Sequence, residues 1–163
     1  AVMQAKDHLK EFKGDTLVLS GDVPLIKTST LSSLINKHKS GAYDASMLTA
    51  DFRNPDGYGR VIRNIDGYLE KVQEHKDCNE EELKINEINS GIYLFNNQKL
   101  FDSLPKLNKN NTQSEYYLPD VLSMMVSSGG KIGLEKIKNN DEIQGVNTLE
   151  QLSHLENIYE KNN

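Results

Sequence analysis

Asp22 closes the stretch Leu17-Val18-Leu19-Ser20-Gly21-Asp22-Val23-Pro24-Leu25, in which an apolar run stops at glycine and then aspartate. If the run is a strand, this puts a carboxylate beyond its carboxyl end, the edge along which open α/β sheets bind ligands. A carboxylate there suits Mg²⁺, a hard ion that takes oxygen ligands. Gly21 would let a nucleotide or sugar come close to the backbone. The same residues also read as a Gly-Asp turn ahead of Pro24, and Asp22 taken alone does not decide between the two.

Four further stretches carry polar groups in useful places. Asp56-Gly57-Tyr58-Gly59-Arg60 has two glycines in three residues, which expose backbone N–H groups to a ligand or simply make a turn. In Val72-Gln73-Glu74-His75-Lys76-Asp77 a carboxylate stands at the end of the hairpin strand, placed either to accept from sugar hydroxyls or to sit solvated. Glu87-Ile88-Asn89-Ser90-Gly91 puts Glu87 and Asn89 on one face of a strand. Buried polar groups there need partners, from a sugar amide or from a neighbouring loop. Gln144-Gly145-Val146-Asn147 precedes a helix, so Asn147 is a helix cap or a neutral oxygen ligand to a metal.

The elements that must position these groups follow from periodicity. Helices are expected over Ala1–Phe12, from Thr28 or Ser29 to Lys39, over Glu115–Ser127, and from Thr148 onward, where Thr148 and Gln151 form a capping box. A helix turn is expected over Asn97–Leu104. Thr16–Ser20 and Ala45–Ala50 read as strands buried on both faces of a parallel sheet. Arg60–Arg63 and Tyr68–Val72 flank Asp66-Gly67 as a hairpin. Ile88–Phe95 and Lys131–Ile137 complete the strands. Met124 and Met125 fall at core spacing. Lys161-Asn162-Asn163 reads as a frayed end. Helices alternating with buried strands, with one hairpin inserted, indicate an α/β layered fold.

Composition narrows the chemistry. The chain has 163 residues and a net charge of -5. It has no basic stretch to neutralise nucleic-acid phosphates, and no apolar run of membrane-spanning length. The single cysteine, Cys78, has no internal partner and lies beside acidic neighbours that oppose a thiolate. With one cysteine and scattered histidines, a zinc site has no support. No signal peptide is visible, and the chain opens in a helical pattern at Ala1, which suggests a piece of a longer protein.

No single stretch is specific, but their order is. GDVPL, NPDGYGR, EHKD, EINSGIY, NTQSEYYLPD and QGVN, in this sequence and spacing, resemble the uridylyltransferase domain of bifunctional N-acetylglucosamine-1-phosphate uridylyltransferase/glucosamine-1-phosphate acetyltransferases. The resemblance covers nearly all of the chain. It implies a Rossmann-like nucleotidyltransferase layered fold with a mixed, mostly parallel sheet, truncated at its N-terminus. Residues 1–163 would be one partial domain, with 148–163 a linker helix toward a C-terminal domain.

The resemblance further implies that Asp22 and Asn147 hold the catalytic Mg²⁺, with Gly21 beside them. Gly59, Glu74 and Asn89 would contact the sugar and its acetamido group. Glu115, Tyr116 and Tyr117 would lie near the sugar, Tyr117 helping to shape its pocket. Ser20 stands where some relatives carry tyrosine. The implied reaction transfers UMP from UTP to N-acetylglucosamine 1-phosphate, giving UDP-N-acetylglucosamine for peptidoglycan and cell-wall synthesis in the cytoplasm. The family's glycine-rich and base-reading segments fall ahead of Ala1, and its left-handed β-helix, which builds a homotrimer, falls after the linker helix. The expectations that follow are a sugar-side half-site inactive alone and an exposed sheet edge. The alternatives are a hexose-1-phosphate uridylyl- or thymidylyltransferase, which usually carries a second aspartate in place of Gly-Val-Asn, and a non-catalytic binding domain, which would be expected to lose its metal ligands first.

Overall fold

The computed structural model describes residues 1–162. Its strands are β1 (Asp15–Val18), β2 (Ala45–Asp51), β3 (Arg60–Arg63), β4 (Leu69–Gln73), β5 (Glu87–Asn96) and β6 (Ile132–Lys136). The helices are α1 (Lys6–Leu9), α2 (Thr28–Gly41), α3 (Glu80–Leu83), α4 (Asn97–Ser103), α5 (Asp120–Ser127) and α6 (Leu149–Asn162). All six strands form one sheet in the order β4-β3-β5-β2-β6, with β1 on β5.

β5 is the axis of the sheet. One edge pairs with β2 along its length; the other pairs with β1 at its C-terminal half and with β3 near Ile88. Its side chains alternate as a strand requires. Tyr93 and Phe95 face a core filled by α4 and α5, while Ile88, Ile92 and Leu94 face a second core closed by Leu34 of α2 and by Ile143. Helices therefore cover both faces, as the alternating pattern indicates. The sheet is mixed, but its balance differs from the mostly parallel expectation. Among the described residues only β2 and β6 pair in parallel; β5 runs against β1, β2 and β3, and β4 runs against β3.

Other departures are local. β1 is half-buried rather than buried on both faces, and it pairs only with β5 among the described residues. The opening helix is a 3-10 turn over Val2–Ala5 followed by the single turn α1. The expected helix over Glu115–Ser127 begins only at Asp120. Ahead of it, Asn111 holds Glu115 by a hydrogen bond at each end of its side-chain amide, and Ser114 takes a φ of 54°, so 115–117 stay in a loop. α2 starts at Thr28, but Lys27 at its N-cap offers no capping oxygen. The Thr148–Gln151 capping box forms, while Leu149 remains 82% exposed and only Leu155 of the apolar series is buried. α6 runs through Lys161 to Asn162; Asn163, the last residue of the expected frayed end, lies outside the described residues.

The hairpin falls where Asp66-Gly67 predicts, with Gly67 at φ +83°. β5 runs through Gly91 without a break, at a φ of +77°, and a Cβ there would lie 2.5 Å from the Ser20 hydroxyl. This glycine thus lets the segment leaving β1 press against β5, and Ser20 donates to the Gly91 carbonyl at 3.2 Å.

Phe95 is fully buried and pairs with Thr16 on one side and Ala45 on the other. Phe95→Ala is expected to cost about 3–5 kcal/mol, since the cavity adds to the lost transfer energy. Urea unfolding followed by circular dichroism checks this.

Candidate functional site

The chain leaves β1 at Val18, β2 at Asp51 and β6 at Lys136, all at one edge of the sheet. β5 runs the other way, so its N-terminal residues reach the same edge, as does the end of β4 at Gln73. The expected site residues gather there in two groups.

The first group holds Asp22 and Asn147. The Val146 N–H donates to the Asp22 carbonyl at 2.8 Å, tying the loop after β1 to the loop after β6. A Cβ placed on Gly145 would lie 3.2 Å from Asp22 Oδ2 and 3.8 Å from Asn147 Nδ2. A carboxylate and a side-chain amide therefore flank one point, which only a glycine leaves open. Both residues are exposed, and neither side chain hydrogen-bonds to protein among the described residues. The amide presents oxygen or nitrogen by a half-turn of its terminal group. Among the described residues no group of three or more His, Cys, Asp or Glu side chains is gathered for a metal. One carboxylate and one amide oxygen nonetheless fit Mg²⁺, which keeps several positions for water and phosphate oxygens.

Tyr58 joins this group, although the sequence singled out only its neighbour Gly59. Its ring packs edge-on against Phe52 at 5.0 Å. Burial pushes its phenol up and the Asp22 charge adds to this, while the backbone N–H of Gly145 pulls the other way. Its position between Gly57 and Gly59 was the available signal.

The second group holds Gly59, Glu74 and Asn89. A Cβ on Gly59 would lie 3.3 Å from Glu74 Oε1. The Asn89 N–H donates to the Gly59 carbonyl at 2.9 Å. The Asn89 side chain is oriented from both ends: its oxygen accepts from the Gly91 N–H at 3.1 Å and its amino group donates to the Tyr93 hydroxyl at 2.7 Å. Arg60, 1% exposed, fixes the loop before Gly59. Its guanidinium donates to the carbonyls of Pro55 and Tyr58 and meets His75 Nδ1 at 3.4 Å.

Glu74 is half-buried, and no donor of the protein reaches its carboxylate among the described residues. Burial pushes its carboxyl above the usual range, and the charges of Asp120 and Asp77 push it further. Asp120 is itself raised, by burial first and by Asp77 second. The pull of the Thr112 hydroxyl and N–H holds Asp77 below its usual range. A carboxylate kept short of donors beside a glycine and an amide is an acceptor waiting for ligand O–H or N–H groups.

Tyr117 reaches this group through the loop before α5. Thr112 N–H donates to Asp77 at 2.9 Å, Lys76 to Gln113 at 2.8 Å, and Gln113 to the Tyr117 hydroxyl at 2.8 Å. Glu115 and Tyr116 do not join; both are exposed, and Tyr116 stacks under Lys109 at 4.8 Å. Glu87 also stays apart from Asn89. It accepts from Thr49 and from Arg63 in a partly buried ion pair, with Lys136 at 3.6 Å. Gly21 lies open beside Asp22. Cys78 is a free thiol whose sulfur faces the Gln73 and Glu74 carbonyls and whose pKa burial raises.

The sequence profile of the nucleotidyl transferase family matches residues 1–139. The chain is 47% identical over 161 residues to the bifunctional protein GlmU of Clostridium botulinum strain Loch Maree, covering 99% of this chain and 35% of that protein. It is 46% identical over 158 residues to the bifunctional protein GlmU of Acetivibrio thermocellus, covering 97% of this chain and 34% of that protein. The chain thus spans about a third of the length of these curated relatives. A crystal structure of UDP-glucose pyrophosphorylase complexed with UDP-glucose superposes with a TM-score of 0.70 at 13% identity, over 99% of this chain and 61% of the other.

The environment of Glu74 has a consequence for stability. A carboxyl raised in the folded state contributes stability that is present below its unfolded value of 4.5 and is lost as pH rises through the folded value. Glu74→Gln is therefore expected to raise the urea midpoint at pH 7. The gain should vanish near pH 4, where both side chains are neutral. Denaturation at the two pH values checks this.

Proposed function

The chain belongs to the nucleotidyl transferase family, and on that premise we propose that it is the sugar-phosphate-holding part of an N-acetylglucosamine-1-phosphate uridylyltransferase. The parent would transfer UMP from UTP to N-acetylglucosamine 1-phosphate and release pyrophosphate. The observation that carries this reading is the convergence of Asp22 and Asn147 on Gly145, fixed by the Val146–Asp22 hydrogen bond.

Both reactants are anions that repel each other. Mg²⁺ bound between Asp22 and Asn147 would supply the charge that neutralises them and aligns the attack. The side chains do no covalent chemistry; they position and orient. Asp22 supplies the single negative charge of the cation site, and Asn147 adds a neutral oxygen. Gly145 keeps the space between them clear, and Tyr58 walls it against Phe52.

The sugar lies along Gly59, Glu74 and Asn89. Glu74 accepts from sugar hydroxyls, and those donors lower the cost of its half-buried charge. The Asn89 amide retains one donor and one acceptor position beyond its internal bonds, which suits the acetamido group. Tyr117 borders the same pocket. The product would serve peptidoglycan and cell-wall synthesis in the cytoplasm; no helix among the described residues is long and apolar enough to cross a membrane. The GlmU resemblance extends the proposal to a homotrimeric parent assembled through a β-helix domain.

Titration calorimetry tests this. The chain in Mg²⁺ is expected to bind N-acetylglucosamine 1-phosphate at least about tenfold more tightly than glucose 1-phosphate, a difference of about 1.4 kcal/mol. Asp22→Ala should abolish Mn²⁺ uptake with the circular dichroism spectrum unchanged. Equal affinity for the two sugars would reassign the substrate to a hexose 1-phosphate, and Mn²⁺ uptake by Asp22→Ala would remove the metal role.

A further inference from the structure

The two loops of the cation site meet at their tips through Val146 and Asp22, and they meet again at their bases. The loop after β6 is fastened to the sheet by the Ile137 N–H on Thr49 at 2.9 Å and by the Asn140 amide on the Asp51 carbonyl at 2.7 Å. It then forms a short 3-10 helix, Asn140–Ile143, whose Ile143 enters the core. Glu142 on this turn is 7% exposed, an unusual place for a carboxylate without a matched buried cation.

Its partners lie on the other loop, at the start of α2. The Lys27 backbone N–H donates to Glu142 at 3.3 Å and the Thr30 hydroxyl at 2.5 Å. The Lys27 ammonium stands 3.9 Å away with its side chain largely in water. Lys27 holds the N-cap position of α2 without a capping oxygen of its own. Glu142 sets its carboxylate at this helix start from the opposite loop, 115 residues from Lys27, where the helix dipole favours negative charge.

We infer that Glu142 is a positioning residue: by holding the start of α2 from the opposite loop, it fixes the separation between the Asp22 and Asn147 loops. Lys27 lies five positions after Asp22, and Asn147 five positions after Glu142. The Glu142 contact closes the base of the clamp and the Val146–Asp22 bond closes its tip. With Ile143 and Val23 still rooted in the core, releasing the base leaves the Val146–Asp22 bond as the one hydrogen bond between the 22–27 and 144–147 segments among the described residues, so the tip opens more readily. That this clamp serves a cation rests on the function proposed above; the clamp itself does not.

Hydrogen exchange of the full chain, read residue by residue by NMR, tests the assignment. In Glu142→Ala the Val146 amide should exchange at least about tenfold faster, the loss of roughly 1.4 kcal/mol of local protection. The Leu94 amide in β5 should be unchanged after correction for global stability. Glu142→Gln, which keeps an acceptor oxygen, should retain most of the Val146 protection. If Glu142→Ala does not fold, Thr30→Val removes one donor alone, and Val146 should again exchange faster than in the wild type. Val146 protection that follows Leu94, or stays unchanged, overturns the positioning role. Mn²⁺ titration of the same proteins separates the two ideas: a wild type that takes up no Mn²⁺ ends the metal reading, while the exchange of Val146 still decides the role of Glu142.

Discussion

The hydrogen bond from the Val146 N–H to the Asp22 carbonyl, 2.8 Å long, joins two loops that leave different strands of one sheet. The sheet brings these loops to the same edge; it does not by itself set how far apart their tips stand. A single backbone bond at the surface contributes about 1 kcal/mol. It persists because Ile143 roots one loop in the core, Val23 roots the other, and Glu142 ties the two together at their bases. The facing of Asp22 and Asn147 depends on that bond.

The sugar side of the site is built on the opposite principle. Around Asp22 the protein leaves polar groups open to water, whereas around Glu74 it buries a carboxylate among other carboxylates. Folding is opposed by that arrangement, and a ligand donating to Glu74 relieves it. Arg60 shows what holds this corner in place: a buried guanidinium wrapped by the carbonyls of its own loop. Stability is thus lower where binding is meant to occur, as is common at functional sites.

Much of this was legible in the residues. The hairpin at Asp66-Gly67, the buried strand over Ala45–Ala50 and the capping box at Thr148 each rest on local chemistry, and each forms. The gathering of Gly59, Glu74 and Asn89 at one edge follows from strand ends and turns. What was not legible depends on distant partners. The direction of β5 relative to its neighbours has no local signature, so the parallel balance was overestimated. Glu87 shares a strand face with Asn89, and its residue type leaves a sugar or a neighbouring loop open as partner; Arg63 and Thr49 from neighbouring strands claim it. α2 starts at Thr28, within the expected Thr28 or Ser29, but the carboxylate that holds its first turn comes from Glu142 in a distant loop. Tyr58 and Asp120 lay within motifs that had been noticed, and only the folded geometry brings one beside Gly145 and the other beside Glu74.

The claim on which the functional account turns is that Asp22 and Asn147 form one cation site. Paramagnetic broadening of the chain's backbone amide signals by substoichiometric Mn²⁺ measures this most directly, because broadening falls steeply with distance from the ion. The account predicts that Asp22, Gly145, Val146 and Asn147 broaden first and together, with Tyr58 following. Broadening centred on Glu74, Asp77 and Asp120 instead, with the Gly145 loop unaffected, would contradict it.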